Sequence, residues 1–107
     1  MGIHDLNVLL VEDDQNVSTT LRNMLNEMGV SNVYEAHNGK EAVEMLDEAA
    51  DTVSLVICDW NMPEVTGLEV LEHVRKGGSE IPFLMVTARA DKKSVLQAKD
   101  EKVSAYI

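Results

Sequence analysis

A single cysteine, Cys58, among 107 residues leaves no partner for an internal disulfide and no thiolate cluster for a metal. It lies inside an apolar run, which suits a buried and inert thiol. No apolar stretch approaches the ~18 residues of a membrane span. The opening Met1-Gly2-Ile3-His4-Asp5 lacks the basic and apolar regions of a signal peptide. Gly2 does not make a myristoylation site, because Leu6 stands where Ser or Thr is required. The expectation is a cytoplasmic protein. Basic residues are few, 9 against 19 acids, and the net charge of −10 argues against direct binding to nucleic acid or anionic membrane. The same charge admits divalent cations and basic partners. His4, His37 and His73 are scattered without metal-ligand spacing, and no EF-hand loop is present. Repeats, linkers and low-complexity segments are absent too, so residues 1–107 read as one domain.

What the chain does contain is a regular alternation of short apolar runs with segments of helical period. Leu6 to Val11 is aliphatic and short enough for a strand buried on both faces. From Gln15 to Met28, Val17, Leu21, Met24, Leu25 and Met28 draw one helical stripe that Gly29 stops. A second strand over Val33–Ala36 precedes a helix from about Lys40 to Ala50, buried through Ala42, Val43, Leu46 and Ala49. Leu55–Cys58 is a third strand. Leu68, Leu71 and Val74 mark a third helix that Gly77-Gly78 ends. Pro82–Val86 forms a fourth strand with its proline at the start. A weaker helix spans Asp91 to about Glu101, and a fifth strand begins at Val103. Such alternation implies right-handed βαβ units and a doubly wound α/β fold, a parallel sheet covered by helices. In open sheets of this kind, ligands bind at the carboxyl ends of the strands.

Three strands end in polar residues that this rule brings together: Glu12-Asp13-Asp14, Asp59 and Thr87. Two unit charges ~5 Å apart at an effective dielectric of ~20 repel by about 3 kcal/mol. Proton uptake or a divalent cation relieves that repulsion, and ligands that are all oxygen favour Mg²⁺, Mn²⁺ or Ca²⁺ over zinc. Acidic residues after a strand also serve as helix caps, and Asp14, next to the helix start, has that role. The acidic run taken alone therefore reads either way. Asp59 is different, because a carboxylate at the end of a buried strand and followed by a loop is placed as a nucleophile. Thr87-Ala88 offers a hydroxyl and backbone N–H groups to a developing anion. Trp60, beside it, reads as an aromatic that packs the loop.

These motifs, Val8–Asp14, Asp59-Trp60-Asn61-Met62-Pro63 with Gly67, and Met85-Val86-Thr87-Ala88, resemble those of the CheY-like receiver domains of bacterial two-component systems. The resemblance runs from Leu6 to Ile107 with the motifs in order. It implies strand order 2-1-3-4-5, Mg²⁺ as cofactor, and Asp59 as phosphoacceptor. Asp13 would be the direct metal ligand, Glu12 its partner, and Asn61 the donor of a backbone carbonyl. Thr87 would be the switch hydroxyl, Ala88 an N–H donor, and Tyr106 the aromatic that reorients on activation. The phosphoryl donor would be a histidine kinase or phosphotransfer protein, and the output a changed face for a downstream protein target. Such a domain assists its own phosphorylation and dephosphorylation without being an enzyme in the ordinary sense. The leaning within the family is toward chemotaxis-type, single-domain regulators. At Gly67, a positive φ would explain the glycine.

The chain departs from the family pattern at its end, stopping before the family's Lys-Pro pair and fifth helix. Lys99 and Lys102 precede the fifth strand and do not replace that lysine, and Lys102 stands where a glycine commonly ends helix four. The expected consequence is an incomplete receiver with an uncovered apolar surface open to homodimer formation. An alternative is an association module that no longer switches. A phosphohydrolase would need an acid two residues after the nucleophile, and Asn61 cannot serve as one.

Overall fold

The computed structural model describes residues 5–49, 51–60, 62 and 64–86, together with the backbone of 105–106. The elements run β1 (Asn7–Val11), α1 (Gln15–Glu27), β2 (Asn32–Ala36), α2 (Gly39–Ala49), β3 (Leu55–Asp59), α3 (Gly67–Lys76), β4 (Phe83–Val86) and β5 (Ala105–Tyr106). All strand pairs are parallel, in the order β2-β1-β3-β4-β5. This parallel, doubly wound sheet is the class expected from the alternation of strands and helices, and its order is the one the family resemblance implies. The helix expected over 91–101 and the helix end at Lys102 lie outside the described residues.

β1 is unbroken in its apolar character because it is buried on both faces. Leu9 and Val11 join a core with residues of α2, α3, β3 and β4, while Val8 and Leu10 meet Val30, Ile57 and the inner side of α1. The register sets Val11 beside Ala36 and Cys58, and Asp59 beside Val86. Strands β1, β2, β3 and β4 therefore finish along one edge, and the residues that follow them share it.

Side-chain caps define the helix starts. Asp14 caps α1, its carboxylate accepting from the N–H groups of Asn16 and Val17. The Asn38 side chain accepts from Glu41 N–H, and Thr66 caps α3 by accepting from Glu69 N–H. α3 ends where the double glycine predicts, with Gly77 as its cap and Gly78 at φ 84°.

α1 departs from the expected stripe. Leu21 and Leu25 pack on the sheet, but Val17, Met24 and Met28 are 41%, 53% and 62% exposed. The helix is rotated so that Ser18, only 1% exposed, faces the sheet. Two polar bonds explain the rotation. Ser18 Oγ donates to Glu35 Oε1, and Arg22 one turn later pairs with Glu35 Oε2 at 2.7 Å. A carboxylate on β2 thus grips two successive turns of α1.

Gly67 also departs from expectation. It is the first residue of α3 and is not among the glycines at positive φ in the described residues, which are Gly29 and Gly78. Its requirement is space. A Cβ there would sit 2.4 Å from the Asp59 carbonyl oxygen, 2.9 Å from Met85 Sδ and 3.0 Å from Trp60 Cα.

Gly67→Ala forces backbone to move, and a loss of about 1–3 kcal/mol is expected in urea unfolding. Met24→Gln on the exposed line of α1 is expected to stay within about 0.5 kcal/mol of the parent in the same measurement.

Candidate functional site

Glu12 is the first residue past β1. Its N–H donates to the Ala36 carbonyl at 3.1 Å, tying the strand end to β2. Its side chain turns inward to 4% exposure, and Oε1 accepts the Asp14 N–H at 3.1 Å. Asp13, next in the chain, is exposed, and Asp59 at the end of β3 is half-buried. Carboxylate oxygens of Glu12, Asp13 and Asp59 lie within 4.8 Å of one another. Burial pushes the Glu12 carboxyl up from its ordinary 4.5 to about 7, against the lowering effect of the Asp14 N–H and with the help of Asp59 and Asp13. Burial, joined by the charges of Asp59 and Glu12, also pushes the Cys58 thiol well above its ordinary range, which leaves it protonated and inert as expected.

The loop after Asp59 is held from several sides. Trp60 N–H donates to the Val86 carbonyl, and Gly67 N–H donates to the Trp60 carbonyl, each at 3.0 Å. Trp60 is 5% exposed and belongs to the core with Met62, so it is a core side chain and more than a loop cover. Glu64 takes φ 68°, the left-handed region. Its neighbour Val65 closes on the first residue of α2, where a Cβ on Gly39 would meet Val65 Cβ at 2.6 Å. Trp60 and Val65 thus each lie against a glycine that has no room for a side chain.

Of the residues singled out from sequence, the fold brings Glu12, Asp13 and Asp59 together and sets Asp14 as the cap beside them. Asn61, Thr87 and Ala88 lie outside the described residues. Tyr106 is described through its backbone alone, which pairs with Met85. His37 contacts Glu41 at 3.4 Å, and His73 contacts Asp47 at 2.9 Å. A cavity of about 390 Å³ beside that second pair, lined by Leu46, Asp47, His73, Val74 and Lys76, lies at the carboxyl ends of α2 and α3, away from the acidic cluster. Sequence reasoning passed over Ser18 and Glu35. The signal available was a polar residue on each of two elements otherwise reading as apolar-faced.

A compact group of carboxylates with oxygen donors alone has the chemistry to hold a hard divalent cation. Residues 8–107 match the family described as response regulator receiver domain. Chemotaxis protein CheY1 of Helicobacter pylori is 38% identical over 104 residues, covering 95% of this chain and 83% of that protein. Among solved structures, Vibrio cholerae chemotaxis protein CheY4 superposes with a TM-score of 0.86 at 26% identity, over 95% of this chain and 84% of that one. A CheX–CheY–BeF3–Mg complex from Borrelia burgdorferi shares the fold, with a TM-score of 0.89 at 22% identity over 95% and 76% of the two chains. With the match beginning inside β1 and running to the last residue, the chain belongs to the response regulator receiver domain family.

Proposed function

We propose that Asp59 is the residue through which this receiver domain works as a phosphoacceptor switch of two-component signalling, with residues 1–107 acting as one unit. The observation that carries this reading is the convergence of Glu12 and Asp13 on Asp59 at the strand ends. Glu12, Asp13 and Asp59, with the backbone carbonyl of Asn61, would hold Mg²⁺. The donor set fits, since all the ligands are oxygen and the crowded carboxylates require a compensating charge. When bound, Mg²⁺ supplies positive charge that offsets the carboxylates and the phosphoryl oxygens.

The chain's own part in the reaction follows from position. An Asp59 carboxylate oxygen attacks phosphorus in line, and the bond from phosphorus to the donor's histidine nitrogen breaks. The donor is a histidine kinase or a phosphotransfer protein. Glu12, fixed by Asp14 N–H and by Ala36, keeps Asp13 facing the entering group. Thr87 and the Ala88 N–H receive the phosphoryl oxygens, and movement of Thr87 makes room for Tyr106. Phosphorylation adds nearly two negative charges at one point. The altered face then binds a downstream protein. No helix among the described residues is long and apolar enough to cross a membrane, and a cytoplasmic setting belongs to this reading.

Addition of Mg²⁺ and beryllofluoride is expected to give a saturable change in Trp60 fluorescence that Asp59→Asn abolishes. An equal response in the Asp59→Asn variant would rule out Asp59 as the acceptor. A second expectation concerns pH. Between about 4.5 and about 7, folded Glu12 holds a proton that the unfolded chain has released, so stability of the metal-free protein falls as pH rises through that window. Thermal melts should accordingly show a larger Mg²⁺-induced rise in Tm at pH 8 than at pH 5. Glu12→Gln should flatten the metal-free pH profile across the same window.

A further inference from the structure

Glu12 and Asp13 sit on a closed ring of bonds. Glu12 N–H donates to the carbonyl of Ala36 at 3.1 Å. The residue before Ala36 is Glu35, whose carboxylate accepts from Ser18 Oγ. Ser18 N–H donates to the Asp14 carbonyl at 2.9 Å, and Asp14 N–H returns to Glu12 Oε1 at 3.1 Å. Two of these links are backbone pairs that any sequence could form. The link that closes the ring is a side-chain bond between Ser18, which is 1% exposed, and Glu35, whose side chain is 15% exposed.

We infer that Ser18 and Glu35 are positioning residues for the acidic site, holding the β1–α1 turn in the one arrangement that aims Glu12 and Asp13 at Asp59. The inference rests on the metal-binding reading above and adds to it residues that touch neither metal nor phosphate. Charge gives the physical reason. Carboxylates within 4.8 Å of one another repel, and a free turn between β1 and α1 would let Asp13 move away from Asp59. The ring opposes that motion. α1 cannot slide or roll without breaking the Ser18–Glu35 bond, and β2 cannot shift without dragging the Ala36 carbonyl from Glu12. Ser18 buries a hydroxyl on the sheet side of an amphipathic helix, where an aliphatic residue would pack, and Glu35 is the partner that makes that burial tolerable. Arg22 grips the other oxygen of Glu35 at 2.7 Å but lies outside the ring, so it strengthens the α1–β2 contact without being part of the path to Glu12.

The test is calorimetric titration with Mg²⁺ alone, at a temperature where circular dichroism shows each variant fully folded. Ser18→Ala and Glu35→Ala are expected to weaken the Mg²⁺ Kd about tenfold, the lower end of what outer-sphere residues usually contribute. Glu35→Gln keeps an oxygen for Ser18 and should restore most of the affinity. Arg22→Ala should lower the melting temperature yet leave the Kd within about twofold. A purely structural role predicts the opposite pattern, in which all four variants lose stability and retain the parent Kd, and that result overturns the inference. A parent protein that takes up no Mg²⁺ refutes the metal reading itself and removes the inference with it. Parent binding with unchanged Ser18→Ala and Glu35→Ala affinities refutes the positioning role alone.

Discussion

Mutual repulsion of carboxylates at the carboxyl edge of the sheet is the constraint around which the rest of the molecule is arranged. Glu12 is buried, Asp13 follows it directly, and Asp59 stands across from them on β3. Left alone, such a group lowers its energy by spreading apart or by taking up protons. The fold prevents spreading, since Glu12 is tied to β2 through Ala36 and to the start of α1 through Asp14. Burial pushes the Glu12 carboxyl toward its protonated form, and the charges of Asp59 and Asp13 add to that push. The site is therefore built at some expense to stability, and the aliphatic core on both sides of β1 supplies the rigidity that sustains it.

The two faces of the sheet divide this work unequally. On the side of α2 and α3, close packing through Phe83, Leu71, Trp60 and Met85 fixes β3 and the loop after it. Gly39 and Gly67 permit backbone contacts there that no larger residue could. On the side of α1 the attachment is half apolar and half polar. Leu21 and Leu25 reach the sheet, while Ser18 and Arg22 converge on Glu35. Asp59 thus ends a closely packed strand, whereas Glu12 is tied in place by hydrogen bonds, whose strength depends on direction as well as distance.

Much of this is legible in the chain itself. Apolar runs at Leu6–Val11, Leu55–Cys58 and Pro82–Val86 identify strands because doubly buried strands need no polar alternation. Their polar endings at Glu12 and Asp59 identify the site because parallel topology aligns strand ends. The helix stops at Gly29 and Gly77 follow from glycine's access to left-handed or tight endings. The reading of α1 fell short for a physical reason. Val17, Met24 and Met28 lie close in angle to Leu21, so periodicity alone cannot say which edge of the stripe meets the sheet. That choice is made by Glu35, eight residues beyond the helix, which no local window connects to Ser18. Gly67 shows a similar limit. Its glycine reflects the absence of room for a Cβ against the Asp59 carbonyl, a tertiary fact with no signature in the neighbouring sequence.

Glu64 adds a thermodynamic consequence. A side chain larger than asparagine at φ 68° raises the local energy by about 1 kcal/mol. The cost is borne by the loop that leads away from Asp59 and is sustained by Val65 lodged against Gly39. Any rearrangement that lets Glu64 return to negative φ recovers that energy, which multiplies the population of the rearranged loop about fivefold at room temperature. The resting backbone at Glu64 thus holds a small, fixed strain within the ordinary stability of the fold.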